Sequence, residues 1–249
     1  MTTRQELRAQ GEATRARLFG ADVAEPKGFG TLLTEAVHGA VWNRPGLAIR
    51  ERMLCTLAAL GVWPRLLQLR RHIAGALELG IATETIREVL VQAGLYAGFS
   101  AAEETLLLMA EVCAERGVAF PADPPAHASL EELAKRGRTM MQQVHGERSS
   151  QGYAAPDNPV TYALYETAIQ YGYGEIWFRP GLEARERAFV AVAAFTALRM
   201  PEQAKRFGQA ALNLGASRTE VIEAVVQTAP FSGFPPALNV LSALSDVLR

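Results

Sequence analysis

Arg44-Pro-Gly-Leu-Ala-Ile-Arg-Glu-Arg52 returns as Arg179-Pro-Gly-Leu-Glu-Ala-Arg-Glu-Arg187, at an offset of 179 − 44 = 135. The register then holds without a gap. Ala58, Ala59, Gln68, Arg71, Ala76, Leu77, Leu79, Gly80, Glu88, Val91, Gln92, Gly98 and Phe99 all meet identical residues at that offset, ending at Gly233 and Phe234. Chance does not keep register over so many positions, so the chain is two copies of one unit and its fold is read per copy. Upstream, Gly11 to Gly20 aligns with Gly137 to Gly146 at 137 − 11 = 126, which gives the second copy 135 − 126 = 9 additional residues before its Arg-Pro-Gly turn. These fall around Gly146 to Asn158, where Ser149-Ser-Gln-Gly-Tyr153 reads as a surface loop. Such a loop either shapes a pocket or does nothing specific.

Within the first copy, apolar residues recur at helical spacing over Leu7 to Phe19, Thr31 to Trp42, Ile49 to Gly61, Arg65 to Leu79, Glu84 to Tyr96 and Ala101 to Arg116. Gly80 suits a left-handed helix end, Thr83 a cap for the helix that follows, and Arg-Pro-Gly a stop between helices. No stretch alternates as a half-buried strand does. The expectation is an all-α chain of two tandem helical repeats, spanning residues 1–117 and 129–249, joined by a proline-rich linker at 118–128. An amphipathic unit leaves one apolar face for its twin to cover, so the repeats should pair as an internal pseudo-dimer about a pseudo-twofold axis.

With 249 residues, 49% of them hydrophobic, the chain can bury a sizeable core. Its net charge of −1 argues against a nucleic-acid or membrane-surface partner, both of which rely on clustered basic charge. Cys55 and Cys113 stand far apart without a CxxC, which speaks against a disulfide framework or a thiolate metal site and for a cytoplasmic setting. No signal sequence opens the chain and no apolar run approaches the roughly 20 residues that cross a bilayer.

The run Trp42-x-Arg-Pro-Gly-Leu-x-x-Arg-x-Arg52, followed by His72, Ala76-Leu-x-x-Gly80, Glu88 and Tyr96-x-Gly98, resembles the γ-carboxymuconolactone decarboxylase family of the alkylhydroperoxidase-like superfamily. The second copy carries the same resemblance through Trp177, Arg179-Pro-Gly-Leu182, Ala211-Leu-x-x-Gly215, Glu223 and Gly233. Family members are helical and assemble from dimers into rings, which implies a homo-oligomer of tandem pseudo-dimers. The redox branch carries a glutamate upstream of a CxxCxxxH motif. Here the histidine is His72, the cysteine positions hold Arg65 and Gln68, and the glutamate position holds Met53; the second copy has Met200, Gln203, Phe207 and Ala188 at these places. Thiol-dependent peroxide reduction is excluded, because no thiolate stands at either site.

What the resemblance then implies is a carboxy-lyase acting on a carboxylated unsaturated lactone or a related cyclic acid. Loss of CO₂ leaves a carbanion that spreads through the lactone as a dienolate, so the substrate supplies its own electron sink and no PLP, thiamine or metal is needed. The protein has to bind carboxylates, stabilise an enolate oxygen and deliver a proton. His72 is the candidate proton carrier. Gln68, one turn before it, is placed to hold the ring or donate to an oxyanion, and Arg71 or the Arg44/Arg50/Arg52 group to hold carboxylates.

Each candidate has a plainer reading. The arginines recur in the second copy where the histidine does not, which fits ion pairs with Glu51, Glu88, Glu186 and Glu223. Trp42 and Trp177 read as core as readily as binding residues, and the Tyr96 hydroxyl is a candidate pocket contact. His38, His127 and His145 read as ordinary surface or interface residues, and scattered histidines make no metal site. Because the second copy has Phe207 and Phe231 where the first has His72 and Tyr96, the functional pocket is expected in the first copy only, with the second supplying one of its walls. The alternative is a non-catalytic scaffold that binds or tailors a polyketide-like molecule. An open pocket at His72 would favour the enzyme, a collapsed one the scaffold.

Overall fold

The computed structural model describes residues 2–20, 26–63, 65–125, 128–151, 155 and 157–248; His127 and Tyr153 lie outside them. Every regular element among these is helical. The first copy comprises α1 (Arg4–Phe19), a π-helical segment π1 (Leu33–Val41), α2 (Ile49–Gly61), α3 (Leu66–Glu78), α4 (Thr83–Ala97) and α5 (Phe99–Glu115). The second repeats the order as α6 (Leu130–His145), π2 (Ala168–Glu175), α7 (Ala184–Ala197), α8 (Pro201–Asn213), α9 (Arg218–Ser232) and α10 (Phe234–Leu244).

The helix expected over Thr31 to Trp42 is one α turn followed by π1, a widening that apolar spacing does not distinguish from an α-helix. Thr83 does not cap α4. The cap is Ala82, without a side-chain bond, whereas its counterpart Ser217 closes a full capping box with Glu220 on α9. Gly80 and Gly215 do end their helices with positive φ, at +73° and +89°.

Helices α2 and α7 lie at the centre. Arg52 to Gly61 and Glu186 to Ala197 are buried without interruption, as expected of helices with no solvent face. Fully buried Leu54 and Leu57 contribute about 1.5–3 kcal/mol each, and the alanines of α7 let its neighbours approach closely. Helix α2 packs against α7, α4 and α9, so the two copies share one core.

Reciprocal ion pairs set the symmetry. Arg44 binds both carboxylate oxygens of Glu223 at 2.7 to 3.0 Å, and Arg179 reaches back to Glu88 at 3.0 and 3.1 Å. Since 44 + 135 = 179 and 223 − 135 = 88, each contact is the other with its copies exchanged, the signature of a twofold-related interface. Arg50 pairs with Glu186 at 2.9 Å, and Arg52 and Arg187 repeat the pattern on Glu223 and Glu88. Arg44 is therefore an interface cation with a bidentate partner of its own.

Candidate active site

Each copy gathers five rings from equivalent positions: the last residue of the first helix, a residue of the π segment, the tryptophan after it, a residue of α3 or α8, and one residue lent by the other copy. In the first copy these are Phe19, His38, Trp42, His72 and Phe231; in the second they are His145, Tyr173, Trp177, Phe207 and Tyr96. The π segments hold this arrangement by pressing against the first helices at glycine. A Cβ on Gly174 would sit 2.0 Å from the Leu133 carbonyl oxygen, and one on Gly11 would sit 2.0 Å from that of Thr34.

The first-copy cluster is closed. His72 is 3% exposed, edge-on to Phe19 at 5.1 Å and to Phe231 at 5.2 Å, and stacked on Trp42 at 6.5 Å. Its Nδ1 bonds the backbone carbonyl of Gln68 at 2.8 Å, so it is the main chain at Gln68 that holds the ring, while Nε2 has no partner among the described residues. Burial, with a smaller contribution from Arg71, pushes the imidazole down to about 4. Arg71 stacks its guanidinium over Phe19 at 5.8 Å.

The second-copy cluster opens onto a cavity of about 490 Å³. Tyr96 and Leu95 of the first copy form one wall; His145, Tyr173, Trp177, Phe195, Phe207, Gln203, Gln209 and Arg206 form the rest. Arg148 and Gln151 reach in from the nine-residue insertion, which therefore does shape a pocket. Among the described residues that line it there is no aspartate or glutamate. The functional pocket is expected in the first copy; the structure shows a cavity in the second, and of the residues singled out from the sequence it brings Tyr96 into this cavity and leaves His72, Gln68, Arg71, Arg44 and Trp42 outside it. The physical reason is ring packing, since Phe19 and Phe231 cover the His72 ring, whereas His145 and Tyr96 stand at the two corresponding positions around Phe207.

His145 and His38 are likewise not ordinary surface residues. His38 is buried, its Nδ1 3.2 Å from the Leu33 carbonyl oxygen, and is pushed down to about 4, chiefly by burial. The Nε2 of His145 and the Tyr173 hydroxyl are hydrogen-bonded at 2.7 Å, and burial, Arg206 and Arg148 push that imidazole down to about 4. The signal for His145 was present in the sequence. The first helices align at 126 rather than 135, and that register sets Phe19 opposite His145.

The Tyr96 hydroxyl accepts from Gln92 Nε2 at 3.1 Å and is also bonded to the Trp177 side chain; burial raises its pKa, so it stays a neutral phenol. Cys55 and Cys113 are both buried, and burial pushes the Cys55 thiol up to about 12, the opposite of a reactive thiolate. Among the described residues no three His, Cys, Asp or Glu side chains gather as a metal site, and no helix is long and apolar enough to cross a membrane.

Comparison with known proteins fits this architecture. The profile of the Carboxymuconolactone decarboxylase family matches twice, at residues 28–111 and 162–246. A 4-carboxymuconolactone decarboxylase of Acinetobacter baylyi is 31% identical over 91 residues, which are 36% of this chain and 68% of that protein. A nitrosuccinic acid decarboxylase of Metarhizium robertsii is 35% identical over 77 residues, 31% of this chain and 54% of that one. The crystal structure of a protein assigned as a gamma-carboxymuconolactone decarboxylase subunit of Burkholderia xenovorans superposes with a TM-score of 0.57 at 19% identity, covering 96% of this chain and 97% of that one, and so shares the fold.

Proposed function

The chain belongs to the carboxymuconolactone decarboxylase family, and from that membership we propose that it is a carboxy-lyase, releasing CO₂ from a small carboxylated substrate held in the second-copy cavity. The observation that supports this most is the charge of the cavity. Two guanidinium groups, Arg148 and Arg206, line a space with no carboxylate among its described lining residues, and about 490 Å³ is the size of a small-molecule site. A dianion can engage both guanidinium groups through charge-assisted hydrogen bonds, which a neutral ligand does not.

The aromatic wall of Trp177, Phe195 and Phe207 gives a departing carboxylate a setting poor in water, which favours loss of its charge as CO₂. The electron pair left behind needs a sink, and a substrate with a conjugated acceptor supplies its own. A carboxylated unsaturated lactone or related cyclic acid meets this need through its conjugated carbonyl. The nitro group of a nitrosuccinate meets it in the same way, and the names of the two curated relatives fall on these two kinds of acid. The closed His72 cluster favours the scaffold reading for the first copy alone, since a collapsed site binds no substrate.

The test is CO₂ release from 4-carboxymuconolactone and from nitrosuccinate by the full chain. Arg206→Gln and Arg148→Gln should each raise KM by roughly 10-fold to 100-fold with a smaller change in kcat, the pattern of lost ground-state binding. Ligand binding without CO₂ release from any dicarboxylate offered would leave the scaffold reading in place of the lyase.

A further inference from the structure

We propose that His145 and Tyr173 form the proton-delivery pair of the second-copy cavity, with Tyr173 donating to the substrate and His145 reloading it. This rests on the carboxy-lyase reading for the reaction, but not for the proton uptake that tests it.

The first observation is an exchange. In the first copy Phe19 of α1 stands edge-on to His72 of α3, with ring centroids 5.1 Å apart and planes at 83°. In the second copy His145 of α6 stands edge-on to Phe207 of α8, at 5.1 Å and 79°. The same pair is rebuilt with imidazole and phenyl swapped between helices. The swap changes what the imidazole reaches: His72 is enclosed, whereas His145 lines the cavity.

The second observation is the partner. Tyr173 occupies the place of His38, since 38 + 135 = 173, lines the same cavity, and bonds Nε2 of His145 at 2.7 Å. The ionisable groups facing the imidazole are Arg148 in the turn after α6, Arg206 on α8, Tyr173 on π2, and Tyr96 and Tyr165 across the cavity. Apart from burial, what keeps this imidazole neutral is the two arginines. A dicarboxylate seated on them removes that repulsion and adds negative charge, so ligand binding draws a proton onto His145.

The step then balances. The C–CO₂ bond breaks, its electron pair stays on the substrate as an extended enolate, and CO₂ leaves. Tyr173 O–H gives its proton to the carbanion carbon, forming C–H, while the imidazolium Nε2–H passes its proton to the tyrosine oxygen. His145 ends neutral and is reloaded from water when the next dianion binds.

Calorimetric titration of the full chain with maleate, in two buffers of different ionisation enthalpy at pH 7, reads the proton directly. Net uptake approaching roughly one proton per maleate is expected in the wild type. It should vanish in His145→Phe, which copies Phe19, and persist in Tyr173→Phe. With 4-carboxymuconolactone or nitrosuccinate, both variants should lose on the order of 100-fold in kcat while thermal melting shows them folded. Maleate binding without proton uptake, or uptake kept in His145→Phe, overturns the pair, as does turnover that survives His145→Phe and is lost in His72→Phe. Absence of both maleate binding and CO₂ release defeats instead the carboxy-lyase reading of the cavity.

Discussion

The Tyr96 hydroxyl marks the difference between two nearly equivalent clusters. It ties Gln92 and Trp177 together, and where the first-copy cluster receives Phe231 instead, Trp42 Nε1 is left without a partner among the described residues and Gln227 turns to Thr56 Oγ1 at 3.1 Å. Tyr96→Phe should therefore cost about 1 kcal/mol through the orphaned donors. If the phenol also donates to the enolate oxygen, kcat falls by about 100-fold as well, whereas a purely structural hydroxyl would lower the melting temperature and leave kcat in place. A second expectation follows from His38, His72 and His145, all held down to about 4. Unfolded histidines titrate near 6.5, so between about pH 6.5 and 4 the unfolded chain binds more protons than the folded one. Stability is then fully present above pH 6.5 and lost as pH falls through that window. Melting temperatures measured across it should drop steeply, and His72→Phe should flatten the drop; an unchanged slope would show that the buried imidazole does not carry it.

Among the elements, the glycine contact between α6 and π2 is what sets His145 beside Tyr173. A Cβ at position 174 has no room against the Leu133 backbone, and one at Gly137 would meet the Ile169 carbonyl oxygen at 2.1 Å. Backbone has to move in either case. Gly174→Ala should cost several kcal/mol, on the order of an overpacked core, and should lose maleate-linked proton uptake even where the protein still folds. Uptake retained in a folded Gly174→Ala protein would show that this contact does not position the pair. The α-helices themselves were legible from apolar spacing: Ile49–Gly61 is the span that the sequence suggests, and the other four α-helices of the first copy differ by a few residues at their ends. The π segments were not, because a one-residue widening leaves the same side chains facing the core. The site was half legible. Spacing and identity single out Tyr96, yet which of two equivalent clusters stays open depends on ring size at positions 19, 72, 207 and 231, and that is decided by packing across the copies.

At the scale of the molecule, the two copies are joined by two buried networks related by the pseudo-twofold, and only one ends in the cavity. Arg187 donates to Glu88 at 3.2 Å and to Gln92 Oε1 at 3.2 Å, and Gln92 Nε2 bonds the Tyr96 hydroxyl. Arg52 donates likewise to Glu223 at 3.0 Å and Gln227 Oε1 at 3.2 Å, but Gln227 ends at the fully buried Thr56. All four charged side chains are nearly or fully buried, so deleting one partner of either network typically costs about 3–5 kcal/mol, with a milder loss for the isosteric glutamine. Glu88→Gln and Glu223→Gln should thus lower the melting temperature by similar amounts. Their effects on turnover should differ. Loosening Glu88 lets Arg187, Gln92 and Tyr96 drift together and should reduce kcat by about 10-fold, since a small misplacement of a donor is costly in a preorganised site. Loosening Glu223 should leave kcat within about 2-fold, because the chain it anchors stops in the core. Equal losses of kcat from both substitutions would mean that the pseudo-symmetric interface acts as one rigid body, and that the open cavity owes its geometry to overall stability and not to the network that reaches Tyr96.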